Sequence, residues 1–244
     1  MLNRSLALVV CAAASFSAAS AVTIDSFSTA QSLTISAGAP SAANLPGNVA
    51  TGADAVGGTR TIILSRTSGI GQAVAAVDSV SLPGAFQLNT DAMTTAAVEF
   101  IWDGGADFTL DNPGFTTTVD FTDGGLSDRI RMAIIDADLG FSMTLRLYTD
   151  VPGSYHEWAF SPASGPSTVD LLFSTALSVG GATDFNAVRA VQLLIEPASA
   201  GDLAIDFITS TSDTPGDPGV PEPSTFVLAG IGLLAAGLIR RNRS

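Results

Sequence analysis

The chain has 244 residues, of which 46% are hydrophobic and 14% charged, and its formal net charge is −13. That balance is too apolar for a disordered chain and too poor in charge for a helical bundle, and the 24 glycines favour a turn-rich β fold. There is no lysine, and four of the ten arginines (Arg4, Arg240, Arg241, Arg243) lie near the ends, so six arginines face 22 acidic residues between Val22 and Gly219; such a surface repels phosphate backbones and excludes nucleic acid as a partner.

Residues 1–21 follow a secretory plan, with Arg4 as the positive start, an apolar stretch over 6–14, and the small residues Ala19 and Ala21 at the cleavage site for signal peptidase. Cleavage is expected after Ala21. The only cysteine, Cys11, lies inside this signal, which leaves the mature chain without disulfides, thiol catalysis or cysteine-based zinc sites. Bulky Val9 and Val10 before Cys11, and an apolar run that continues past it, speak against lipidation there.

Residues 22–213 read as one all-β domain, a β-sandwich or jelly roll. The stretch 36–58, rich in Ala, Gly, Pro and Asn, is expected to be an extended loop with one or two irregular strands. Strand-like runs follow at 61–66, 96–102, 115–121, 129–135, 141–148, 154–160, 168–173, 189–196 and 203–208. The clearest has Phe141, Met143, Leu145 and Leu147 on one face and Ser142, Thr144, Arg146 and Tyr148 on the other. Asp-Gly-Gly at 103–105 and at 123–125 is turn chemistry, and 184–188 offers a single helical turn.

Chemistry is sparse along these strands. Glu99, in an alternating run, is expected to point outward. The acidic series Asp103, Asp107, Asp111, Asp120, Asp123 and Asp128 lacks the EF-hand spacing and reads as solvated turns. His156 is the sole histidine, which excludes sites built on two or three imidazoles; a Ser-His-Asp arrangement has no Gly-x-Ser-x-Gly elbow to support it. Tyr148, Tyr155 and Trp158 are the candidates for stacking on sugar rings, Tyr148 because it shares a polar face, while Trp158 fits a core position as well.

From 214 to 223 the chain is a proline-rich linker containing Pro221-Glu222-Pro223. Residues 224–239 then form an uncharged, helix-compatible run of about 24 Å, short of the roughly 30 Å hydrocarbon core, which suits a transient anchor in the inner membrane. Arg240, Arg241 and Arg243 would hold the end on the cytoplasmic side and leave the domain outside. The order of Pro-Glu-Pro, glycine-bearing apolar run and terminal arginines resembles the PEP-CTERM sorting signal. The resemblance implies a Gram-negative bacterium making extracellular polysaccharide, and cleavage near the motif by an exosortase, a membrane-embedded cysteine peptidase.

Three patterns within the domain resemble the galactose-binding-like jelly rolls of carbohydrate-binding modules: Ile24-Asp25-Ser26-Phe27, Asp184-Phe185-Asn186-Ala187-Val188, and Leu203-Ala204-Ile205-Asp206-Phe207-Ile208. That resemblance implies a structural calcium held by an early and a late acid, here Asp25 and Asp206; the alternative is that Asp206 points to solvent. No other cofactor is expected. The leading functional reading is a non-enzymatic surface or matrix protein associated with exopolysaccharide, the second a carbohydrate-binding module, and the third a secreted glycoside hydrolase acting through two carboxylates.

Overall fold

Alternation of apolar and polar side chains builds most of the strands. The computed structural model describes residues 21–39, 48–111, 114–138, 140–182, 184–197 and 200–212. Residues 1–20, with most of the signal peptide, and the linker, sorting motif and apolar tail from 214 onward lie outside them. The chain divides into two compact units, and every described residue belongs to the one spanning Ala21–Asp213.

In chain order the described residues form β1 (Thr23–Asp25), β2 (Gln31–Ile35), β3 (Asn48–Thr51), β4 (Thr59–Ser68), β5 (Ala73–Val77), β6 (Phe86–Thr90) and β7 (Thr95–Trp102). They continue with β8 (Arg129–Ala137), β9 (Phe141–Thr149), β10 (Tyr155–Phe160), β11 (Ser167–Leu172), β12 (Leu177–Val179), β13 (Val188–Pro197) and β14 (Leu203–Thr211). The strands make two seven-stranded sheets. The first has the order β11-β8-β14-β6-β5-β2 with β1 added beside β14, and the second has the order β12-β10-β9-β13-β7-β4-β3. All of these pairings are antiparallel.

The inward side chains of both sheets form one core. Phe27, Phe86, Phe100 and Trp102 sit at its centre, with Phe86 edge-on to Phe100 at 4.7 Å and Phe100 stacked on Trp102 at 5.3 Å between centroids. Such rings add about 0.5–1.5 kcal/mol per pair beyond the area they bury. Phe27 reaches this cluster from a left-handed backbone (φ 51°), which the Asp25 carboxylate stabilises by accepting the Phe27 N–H at 2.7 Å.

The expected all-β sandwich is what the chain forms. Residues 115–121 are not a strand: Phe115, Val119 and Phe121 donate their amides to Arg189, Val188 and Phe185 carbonyls, with a single bridge at Val119 and with Phe115 and Phe121 buried. Residues 185–186 are a turn before β13 and not a helix. Strands β1, β2, β5, β6 and β12 were not among the expected runs.

Candidate functional site

The β9–β10 hairpin sets the register of the second sheet's outer face. Its turn closes with Ser154 N donating to Val151 O at 3.0 Å and with Gly153 at φ 76°, a conformation glycine adopts without a Cβ penalty. Tyr155 therefore stands opposite Tyr148, and Glu157 opposite Arg146. On the far side of β9 an irregularity between Val188 and Ala190 brings Gln192 opposite Arg146, and β7 follows with Ile101 beside Gln192 and Glu99 beside Leu194. A slip of one residue would turn every one of these side chains into the core.

The outward side chains join into one network. Tyr148 Oη donates to Gln192 Oε1 at 2.9 Å, and Gln192 Nε2 donates to Glu99 Oε1 at 2.6 Å. Arg146 Nε donates to Glu157 Oε2 at 2.7 Å and its Nη1 to Gln192 Oε1 at 3.3 Å. The guanidinium lies 5.2 Å from the Tyr155 ring centroid, and that ring packs 5.1 Å from Tyr148. Burial works against the charge of Arg146, yet Glu157 and Tyr148 hold its pKa above the ordinary value; burial pushes the Tyr148 phenol up. Amide, carboxylate and guanidinium groups are thus fixed beside a half-buried aromatic face, a combination suited to a hydroxyl-rich ring.

Both margins of this face are built up. At one, Thr61 Oγ1 donates to Asp107 O at 2.9 Å, which lays the loop after β7 against β4. At the other, β12 carries the exposed Leu177 beside Glu157. Beyond it a cleft of about 400 Å³ opens, lined by Glu157, Trp158, Asp170, Leu171, Thr175 and Leu177 among others.

The three aromatic candidates separate. Tyr155 is half-buried on the outer face, whereas Tyr148 is only 8% exposed because Tyr155 covers it, so Tyr148 is not the open platform expected of it. Trp158 points inward, donating Nε1 to Leu172 O at 2.9 Å. His156 also faces inward, stacked at 3.8 Å on Phe185, with Nδ1 3.2 Å from Ser178 Oγ. Its Nε2 is buried without a partner, so no Asp completes a relay there.

The two acids expected to share a cation lie on paired strands, with Asp25 opposite Ile208, but Asp25 is buried and Asp206 exposed. Asp25 is fully buried, and its oxygens accept from Arg60 Nη1 (2.8 and 3.0 Å), Trp102 Nε1 (2.8 Å) and Phe27 N. Arg60, also fully buried, donates further to Gln31 Oε1 and Thr29 O. Burial pushes the Asp25 carboxyl above its ordinary value against the pull of Arg60 and these donors. Asp206 is exposed on β14, next to an irregularity in its pairing with β8. The calcium assignment is therefore corrected: an arginine occupies the place of the cation at Asp25.

The acidic series serves its own turns: Asp103 accepts from Gly105 and Asp111 amides, Asp107 from Thr109, and Asp120 from Thr122 and Gly124. Among the described residues no group of three or more His, Cys, Asp or Glu side chains is arranged to hold a metal ion. Ala21 is exposed at the start of the described chain, while Ala19, Pro221, Glu222, Pro223, Arg240, Arg241 and Arg243 lie outside it.

No curated protein matches the chain in sequence. Among solved structures it is similar to the family 11 carbohydrate-binding module of a cellulosomal cellulase of Clostridium thermocellum, at 12% identity and TM-score 0.38, over 80% of this chain and 96% of that one. A complex of the Clostridium thermocellum module with a β-1,3-1,4-mixed-linked tetrasaccharide matches at 12% identity and TM-score 0.37, over 79% of this chain and 98% of that one. An agarase matches at 10% identity and TM-score 0.36, over 74% of this chain and 24% of that one. The PEP-CTERM protein-sorting motif matches residues 219–243, and with that tail the chain is an exported, exosortase-sorted protein.

Proposed function

We propose that this protein is a non-catalytic glycan-binding protein of the cell surface, whose domain lays an uncharged polysaccharide across the outer face of β10, β9, β13 and β7. The observation that carries the reading is the hydrogen-bonded row Glu157–Arg146–Gln192–Glu99 running beside the Tyr155 ring. From β10 to β7 it crosses three strand spacings, about 14 Å, which accommodates a short run of sugar rings. Glu99 and Glu157 stand at the two ends of that row, and each accepts from a fixed donor that holds its carboxylate in place. The arrangement suits holding a chain better than cutting it.

An uncharged ligand follows from where the arginines go. Arg60 is taken by Asp25, Arg66 by the Ser36 and Gly71 carbonyls, Arg129 and Arg131 by Asp170, Arg146 by Glu157 and Arg189 by the Phe115 carbonyl. These six are all the arginines between Val22 and Gly219; four are paired with carboxylates and the other two, Arg66 and Arg189, hold backbone carbonyls, which leaves little positive charge for a uronate. On this reading the tail anchors the chain briefly in the inner membrane of a Gram-negative bacterium. An exosortase then cuts near Pro221–Pro223, and the domain is retained among extracellular polysaccharide.

Affinity electrophoresis of residues 22–213 through gels containing mixed-linkage β-glucan, agarose, xylan or alginate tests the binding. Retardation by one or more neutral polymers and not by alginate is the expected outcome; free migration through all of them refutes the reading. Mass spectrometry of the surface form is expected to find no Arg-Asn-Arg-Ser end.

A further inference from the structure

One aromatic ring, itself packed against two others, stacks on an imidazole inside the sandwich beside the proposed glycan face. His156 is 2% exposed on β10, its ring 3.8 Å from Phe185, which in turn stacks on Phe173 at 4.3 Å and lies 5.8 Å from Trp158. Through Ser178 the same ring is the side-chain link between β10 and the three-residue strand β12. We infer that His156 is a proton-operated latch: when its ring takes up a second proton, β12 and the turn carrying Phe185 loosen from β10, and the Tyr155 margin of the face is lost with them.

The chemistry follows from counting acceptors. A neutral imidazole needs one acceptor and one donor, and Ser178 Oγ serves either tautomer at Nδ1. An imidazolium has two N–H groups, and Nε2 is buried without a partner among the described residues, so the added proton meets no acceptor there and the charge loses its hydration with only the Phe185 face to offset the loss. Among the described residues only Asp184 acts in favour of the charge. On β10 and β9 the charged neighbours Glu157 and Arg146 are bonded to each other on the opposite face, and β12 contributes only Leu177, Ser178 and Val179. From the turn, Asp184 acts on the ring through space alone and raises its pKa less than burial lowers it. Asp120, beside the Phe121 amide that bonds Phe185 O, spends its carboxylate on Thr122 and Gly124.

The folded state thus binds this proton less readily than the unfolded state, whose histidine has the ordinary value near 6.5. The latch is secure above that pH and weakens as pH falls below it. β12 supplies Val179 opposite Tyr155 and Leu177 opposite Glu157, so its release removes the lateral support of both side chains. The consequence for glycan retention rests on the binding reading above; the latch itself does not.

Because His156 is the only histidine, ring-proton NMR follows a single imidazole through a titration from about pH 7.5 to about pH 4.5. The expected midpoint lies below the ordinary histidine value. Hydrogen exchange of β12 and Phe185, corrected for intrinsic rates, should lose about tenfold in protection for each unit of that depression. In His156→Phe, or in His156→Leu if the larger ring does not fit, the acid-dependent loss disappears. An ordinary midpoint, or the same acid loss in both variants, overturns the latch. Gel retardation by mixed-linkage β-glucan at both ends of the pH range reads the consequence: binding lost in acid in the wild type and kept in the variant supports the coupling, and binding unaffected by acid overturns it. If no glycan binds at any pH the binding reading fails, while the NMR and exchange results still decide the latch.

Discussion

Two side chains carry the most testable energetics. Arg60 and Asp25 form a fully buried pair with all carboxylate oxygens bonded. Removing one partner strands the other charge, so Arg60→Met should cost about 3–5 kcal/mol in urea unfolding, and the double replacement Asp25→Leu with Arg60→Met should recover most of it. On the proposed reading Tyr155 should contribute to binding more than to folding, since its ring is half-buried at the surface and packs on Tyr148. Tyr155→Ala is expected to weaken glycan retention about tenfold, or about 1.4 kcal/mol, with little change in melting temperature. These residues differ in how far the sequence foretells them. Alternation in 141–148 places Arg146 and Tyr148 on the wet face, but the nearly continuous apolar run around Gln192 hides the residue that links them. Nothing local pairs Asp25 with Arg60, 35 positions away.

At the scale of elements, strands with one wet face were legible because polar residues mark every second position, as in β9. Those missed have other reasons: β5 is almost all Ala and Val, β12 is three residues long, and β2 and β6 are short runs flanked by turns. Residues 115–121 have strand-like composition, yet they pair only through a single bridge from Val119 to Val188, while Phe115 and Phe121 bury their rings in the core. The edge strand β11 is held to β8 partly by Asp170, whose oxygens accept from Arg131 at 2.8 and 2.9 Å and from Arg129 at 3.4 Å. Hydrogen bonds from Arg131 hold that carboxyl below its ordinary 3.8. The folded state therefore binds the proton less tightly than the unfolded one. The stability it adds is present above about pH 4 and is lost as pH falls through the lower folded value. Asp170→Asn should lower stability by less than about 1 kcal/mol at neutral pH, since the pair is partly exposed, and should flatten the acid limb of the melting curve.

For the whole molecule, the six arginines of the domain are all engaged internally against 22 acidic residues, so the outer surface presents carboxylates almost alone. Adding salt should leave binding to a neutral polymer nearly unchanged while allowing closer approach to anionic material; retention on mixed-linkage β-glucan measured at low and high ionic strength checks this. A glycan affinity that collapses in salt would point to an ionic ligand instead.

The position of β14 has a mechanical meaning. It is the last strand before the linker, and it lies inside the first sheet, hydrogen-bonded to β8 on one side and to β6 and β1 on the other. Tension entering from the C-terminal side at Thr211 pulls along that strand, at right angles to its ladder, so the bonds to its neighbours resist together in shear and are not peeled open one at a time. A domain held from its C-terminal side is loaded along this line, and in single-molecule pulling it should yield at much higher force from that end than when β12 is pulled away from β10.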